Sequence, residues 1–386
     1  MLKPLIKMEE MYKNRAQEIA QEKERGGKMV AYGCSYTPAE IIYASGAIPF
    51  RLLEGGEQEP CILGEEYTQN IYCPFVKSFV GFRIEGKNPF YQMPDMIWMT
   101  HGCDMKKNIP EVWYRFFNTP TYVINLPRTF YRDSSLQLFL GDLKQAGKKL
   151  ERLTNITITD EALLHAISVY NETRRLLKRL YETRTAKNPP ITGKDAINAS
   201  QLSFMLDPEA YNRVLKELVE ELEEMVKAGK GVYEDNPLRI MLSGSICAHG
   251  DTKLIDLIEQ DRTKAIVTDD FCTGARNFHD LVVEDGSPLE AIARRYLTRV
   301  PCSRMRPNTK RFDFVKEMIK KFRVEGLIYY TLKFCFNYRT DAVRMREEIK
   351  KEGVYVLHVE SDYSGADIGQ LSTRVAAFFE ILEESR

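Results

Sequence analysis

The sequence has no excess of charge of either sign: 55 Lys and Arg balance 55 Asp and Glu over 386 residues. It therefore lacks the basic field with which proteins neutralise nucleic-acid phosphates. It has no apolar run near the roughly 18 residues of a membrane span. Met1-Leu-Lys-Pro4 leads into a charged stretch to Arg25, not into an apolar signal core, so a cytoplasmic protein is expected. There is no Cys-x-x-Cys pair and hence no zinc ribbon. Ser243-Gly-Ser245 lacks the lysine of a phosphate loop and is not GxGxxG, so nucleotide binding is not expected. No fixed-period repeat and no low-complexity segment occurs. What is present includes eight cysteines. In a reducing compartment these are thiols, some of them available to a metal.

Strand-like and helix-like periods alternate along most of the chain. After a charged helix to Arg25, strands are expected at Lys28–Gly33, Ala47–Leu53, Asp95–Thr100 and Thr121–Leu126. Thr37-Pro38-Ala39-Glu40 reads as a helix start with a capping box. From about Ser134 to Lys227 the period is helical, broken at Asn188-Pro189-Pro190. Beyond Gly231 strands return at Leu238–Leu242, Ala265–Thr268, Gly326–Leu332 and Val354–Val359. Helices follow at Asp251–Gln260, Pro288–Tyr296, Asp341–Lys351 and Leu371–Leu382. Alternation of this kind predicts right-handed βαβ units and parallel sheets. The expected fold is α/β: two doubly wound parallel-sheet domains, 1–133 and 236–386, joined by a helical segment, 134–235.

Ligands of such sheets lie beyond the carboxyl ends of the strands. Cys34, Glu54, His101, Cys103, Ser245, Asp269, Asp270, Cys272, Cys335 and Glu360 all fall at or just past expected strand ends. Cys73 opens a helix, where exposed N–H groups favour a thiolate. Three convergent thiolates, Cys73, Cys103 and Cys335, would suit an iron–sulfur cluster with one open iron; the alternative is three small buried thiols. Glu54 and His101 are the candidates for moving a proton. They are expected on adjacent strand ends about 5 Å apart, against a plain alternative in which Glu54 caps the Gly55-Gly56 turn and His101 orients Cys103. His249 either meets phosphate or forms a turn. Asp269 and Asp270 are expected to be solvated or capping, and Arg304–Arg311 to be an exposed charged loop. Cys61 is placed in a Gly/Glu-rich loop and taken as dispensable.

Several segments resemble the 2-hydroxyacyl-CoA dehydratase and benzoyl-CoA reductase superfamily: Thr37–Pro49, Cys73-Pro-Phe-Val-Lys-Ser78, Gly102-Cys-Asp-Met-Lys-Lys107, Lys333-Phe-Cys335 and Gly369–Phe378. The resemblance implies two Rossmann-like (flavodoxin-like) domains and a [4Fe-4S] cluster on Cys73, Cys103 and Cys335. It implies an acyl-CoA substrate, a homologous or identical subunit in a dimer, and a separate ATP-hydrolysing iron–sulfur activator that delivers a low-potential electron. Ketyl chemistry on the thioester then expels a hydroxyl group or, in reductases, reduces an aromatic ring. The acid/base of some dehydratases falls near Glu54. Glu360–Ser364, Gly369–Arg374 and Phe271-Cys-Thr-Gly-Ala275 are also similar to the double-cubane-cluster proteins, which reduce small molecules with an [8Fe-9S] cluster. Cys272 and Cys302 match the extra ligand positions of that branch, but Asn88 and Ser245 stand where it carries cysteine. The reading is therefore an enzyme with one [4Fe-4S] cluster per chain; a double-cubane protein and a non-catalytic partner subunit are the alternatives.

Overall fold

The computed structural model of the chain describes residues 2–386. Near-continuous apolar runs become strands buried on both faces, as parallel sheets require. Met29–Tyr32 (β1), Ile48–Arg51 (β2), Met96–Thr100 (β3) and Thr121–Ile124 (β4) form one all-parallel sheet in the order β2-β1-β3-β4. Leu238–Gly244 (β5), Lys264–Asp269 (β6), Gly326–Leu332 (β7) and Tyr355–Ser361 (β8) form a second parallel sheet, β6-β5-β7-β8. The expected α/β architecture of two doubly wound sheets is what the chain adopts. Winding reverses beside β1 and beside β5, the switch points at which such sheets receive ligands.

Between the sheets run the helices Asp133–Thr154, Asp160–Thr183, Gly193–Leu202 and Pro208–Lys227. Local chemistry sets their ends. Asn155 takes the left-handed conformation at φ 58° after the first of them. Thr159 Oγ1 accepts from the Ala162 amide at 3.2 Å, and Asp207 Oδ1 from that of Ala210 at 2.9 Å. One apolar core runs from Met29 and Phe50 of the first sheet to Ile240, Val267 and Leu327 of the second. A second core covers the other face of β1 and β3. It takes in Ile292, Tyr296 and Met305, so the helix Pro288–Thr298 packs back on the first sheet and the helix Asp133–Thr154.

Several local expectations change. Thr37 does not cap: its hydroxyl meets that of Thr100 at 3.0 Å, and Pro38 occupies the cap position. Glu40 is fully buried and closes no capping box; it binds Arg174 and accepts from Tyr296 Oη at 2.8 Å. Arg304–Arg311 is no exposed loop. Arg304 and Arg311 are buried, and Thr309–Phe322 is a helix. Arg311 donates to Asp270 Oδ2 at 2.7 Å and pairs with Asp341. Asp270 is thereby a buried partner, not a solvated acid. Asp269, also fully buried, accepts from Tyr181 Oη at 2.6 Å and from the amides of Phe271 and Ala275. Cys61 lies in the helix Gln58–Gly64 and is buried.

Candidate iron–sulfur site

The three cysteines singled out share one local geometry. Cys73 is the cap residue of the helix Pro74–Glu85, Cys103 of the short helix Asp104–Lys107, and Cys335 of the helix Phe336–Lys350. The last helix begins at Phe336, not Asp341, which moves Cys335 from a loop onto a helix start. Extended cap dihedrals at Cys73 and Cys103 let the chain enter the helix with the thiol over the first turn. Phe334, next to Cys335, takes φ 64°, a left-handed conformation a bulky residue rarely adopts. Backbone strain of this kind clusters at functional sites.

These thiols lie within electrostatic range of one another in a dry environment. Burial first, then Cys103, pushes the Cys73 thiol up to about 12, although the amides of Val76 and Phe75 point at it. Burial, then Cys73 and Cys103, raises Cys335 in the same sense. A cation bound between them would reverse both effects, because it supplies the charge that the polypeptide leaves out. Among the described residues, no three His, Cys, Asp or Glu side chains converge on a single metal ion. A cubane makes a different demand: each thiolate takes its own iron on a separate corner. Three separate thiols, each at a helix start and within electrostatic range of one another, are compatible with that demand.

Cys272 and Cys302 live under opposite electrostatics. Burial raises the Cys272 thiol, but Arg51 and Arg276 outweigh it and bring it down to about 7; Arg51 Nη2 lies 3.5 Å from its sulfur. Burial likewise acts on Cys302, and Arg276 again wins, holding it below the usual thiol value. Cys302 Sγ is 3.5 Å from Tyr338 Oη, which accepts from Arg276 Nη2 at 2.6 Å. Lys106 links the two groups. Burial would lower its ammonium, yet Cys34, Cys103 and Cys272 raise it, and it donates to Gly33 O at 3.1 Å.

Glu54 and His101 are not brought together. β1 lies between β2 and β3, so their exits are two strand spacings apart, roughly 10 Å. Glu54 has both oxygens engaged, one by Tyr12 Oη and the other by His249 Nδ1 at 3.0 Å. His249 lies in the loop after β5 with Nδ1 engaged by Glu54. Its amide donates to Leu53 O at 3.0 Å and its carbonyl accepts from Gly55 N at 2.9 Å, joining the first sheet's exit to the second. His101 stands half-buried; burial first, then Lys107 and Arg304, lowers its imidazole. Ser245, fully buried, donates to Tyr330 O at 3.4 Å and accepts from Leu332 N at 3.0 Å, tying β5 to β7. Asn88 caps the turn at Phe90 at 3.1 Å. Sequence reasoning missed Tyr12, Arg51, Arg276 and Tyr338, because the pairings that matter, Tyr12 with Glu54, Arg51 with Cys272 and Arg276 with Tyr338, join residues more than forty positions apart.

Two parallel doubly wound sheets with three thiols at helix starts define the class: an α/β protein with cysteines at its strand exits. The chain belongs to the 2-hydroxyglutaryl-CoA dehydratase, D-component family, whose model matches residues 34–382. It is 28% identical over 362 residues, 93% of each chain, to YjiM, a proposed dehydratase subunit of Escherichia coli (strain K12). It is 27% identical to one of the benzoyl-CoA reductase subunits of Thauera aromatica, covering 82% of this chain and 80% of that one. It is 23% identical to the (R)-phenyllactyl-CoA dehydratase beta subunit of Clostridium sporogenes, covering 97% of both. The relatives are thus subunits of dehydratases and of a reductase, which supports an enzyme. No helix among the described residues is long and apolar enough to cross a membrane.

Proposed function

We propose that the chain is the iron–sulfur subunit of an activator-dependent enzyme acting on a CoA thioester, of the 2-hydroxyacyl-CoA dehydratase or benzoyl-CoA reductase type. The observation that carries this reading is the three thiols at helix starts, Cys73 buried and Cys103 and Cys335 partly buried, in a chain of this family. These three would hold a [4Fe-4S] cluster. When bound, such a cluster supplies a low-potential electron and an iron with a free coordination position. The chain's own residues do the rest. The helix starts turn backbone amides toward the thiolates, Lys106 sets a buried positive charge against Cys103, and the apolar surroundings exclude water. Glu54 and His101 are separate candidates for holding or moving a proton, Glu54 through its hydrogen bonds to Tyr12 and His249. The partners are a homologous or identical subunit and a separate ATP-hydrolysing iron–sulfur activator.

A second reading, a double-cubane protein, draws support from the low thiols of Cys272 and Cys302 beside the first set. Against it, Ser245 and Asn88 are already committed to structural hydrogen bonds. Iron and sulfide analysis of anaerobically prepared protein separates the two: about four irons per chain supports the first, about eight the second. Serine at Cys73, Cys103 or Cys335 should deplete iron and bleach the visible absorbance. Protein that holds no iron after anaerobic reconstitution, or full iron in all three variants, refutes the assignment.

A further inference from the structure

The backbone amide of Cys73 is buried, and a buried N–H needs an acceptor. The acceptor here is a side chain: Cys73 N donates to Met105 Sδ at 3.1 Å. Met105 stands two residues past Cys103, in the short helix that Cys103 opens, and is itself buried. A thioether is a weak acceptor, so what the contact chiefly supplies is a fixed place for the Cys73 backbone against the Cys103 helix. Two further side chains of the same segment reach the same target. Lys106 Nζ lies 5.0 Å from the centre of the Phe75 ring, in the first turn of the helix that Cys73 opens, and donates to Gly33 O at the exit of β1 at 3.1 Å. Asn108 Nδ2 donates at 2.7 Å to the hydroxyl of Tyr72, the residue before Cys73. Met105, Lys106 and Asn108 thus hold Cys73, Phe75 and Tyr72, and every link is between protein atoms.

Cys335 is held separately. The segment before it is tied within the second sheet: Leu332 N donates to Ser245 Oγ at 3.0 Å, Lys333 N to Ser361 O at 2.8 Å, and Lys333 Nζ pairs with Asp362 at 2.7 Å. We infer that Met105 is a positioning residue for Cys73: with Lys106 it clips the helix starts carrying Cys73 and Cys103 into one unit, to which the second sheet brings Cys335. The inference rests on the assignment of these cysteines as cluster ligands. Ligands already held in place lose less conformational freedom when a group binds, and so retain it better. Loss of the thioether should loosen the Cys73 corner without emptying the site.

The test uses the full chain reconstituted anaerobically, as wild type, Met105→Leu and Met105→Gln. It follows iron loss to an excess of a ferrous chelator and the EPR spectrum of the reduced protein. Leucine keeps the apolar volume and removes the acceptor; glutamine keeps the length and supplies a stronger one. Met105→Leu should take up as much iron as the wild type, lose it roughly tenfold faster, and change the EPR line shape; Met105→Gln should restore both. Leu143→Ala opens the second core, not the one that holds Met105 and Phe75, and should leave iron loss at the wild-type rate. A wild-type rate in Met105→Leu, no rescue by glutamine, or the same acceleration in Leu143→Ala overturns the proposal and leaves the ligand assignment intact. A wild type that takes up no iron overturns both. Lys106→Met cuts the links to Gly33 and Phe75 and leaves the thioether in place, so it decides the matter if Met105→Leu does not fold: faster iron loss supports the clip, and a wild-type rate overturns it.

Discussion

Asp251 offers the sharpest quantitative test of the lobe junction. It follows His249 and Gly250 on the loop that meets Gly55 and Gly56, and it is buried with the Tyr330 hydroxyl as its hydrogen-bond donor. Burial pushes its carboxyl up from 3.8 to about 6, despite the opposing pull of Tyr330 and Lys253. Folding therefore prefers the protonated form. That contribution is complete below 3.8 and disappears as pH rises through about 6. Relative to an uncharged side chain the wild type gives up about 3 kcal/mol in full, of which about 1.4 kcal/mol falls between pH 5 and pH 8. Asp251→Asn keeps the acceptor for Tyr330 and turns its amide toward the open cavity that Asp251 lines with Gly56 and Tyr363. Denaturant unfolding of both proteins at pH 5 and pH 8 isolates the effect, because every other titrating group is common to the two. The variant should gain on the wild type by about 1.4 kcal/mol as pH is raised over that interval. Parallel pH profiles would show that the folded carboxyl is not raised, and the account of a dry junction would fail with it.

Other consequences can be checked separately. Arg174→Met leaves Glu40 buried without its guanidinium and should cost about 3–5 kcal/mol in unfolding free energy, measured by the same titration. Gly56→Ala should cost at least about 1 kcal/mol, since the residue sits at φ +84° and a Cβ would lie 2.4 Å from Gly250 O. In metal-free protein at pH 8, Cys73 should resist iodoacetamide while Cys272 reacts, read by peptide mass spectrometry; equal labelling would contradict the opposed environments of the two thiols. Glu54→Gln and His101→Ala should each retain iron, and whichever is the acid/base should lose roughly 10²-fold in turnover; wild-type rates in both would return them to structural roles.

The sheets were legible because parallel strands buried on both faces read as apolar runs: Gly326–Leu332 is predicted residue for residue. The three helix-start cysteines were legible for a related reason, since thiols at strand exits of a doubly wound fold have few places to go. Strand order was not legible. Nothing in the runs around Glu54 and His101 says that β1 lies between their strands, so a spacing argument built on adjacency fails. Charge was the other blind spot. Arg304–Arg311 and Asp269-Asp270 look solvated when taken as isolated stretches, yet Arg311 and Asp270 are partners 41 residues apart that bury each other. Periodicity reports an element's own faces; it carries no information about a counterion supplied by a distant segment.

The same distant pairing divides the cysteines into two chemical kinds. Burial and the neighbouring thiols dominate at Cys73 and Cys335, outweighing Lys106 beside Cys73, and hold both thiols protonated. Cys272 has guanidinium groups from Arg51 and Arg276 and Cys302 has that of Arg276, and these hold both thiols below the usual thiol value. A ligand set for a cluster benefits from the first condition: binding would then release protons and tie the two sheets together, because Cys335 comes from the second sheet and Cys73 and Cys103 from the first. On the proposed reading the two kinds of thiol would therefore respond differently to added iron, Cys73 and Cys335 releasing protons as they bind it.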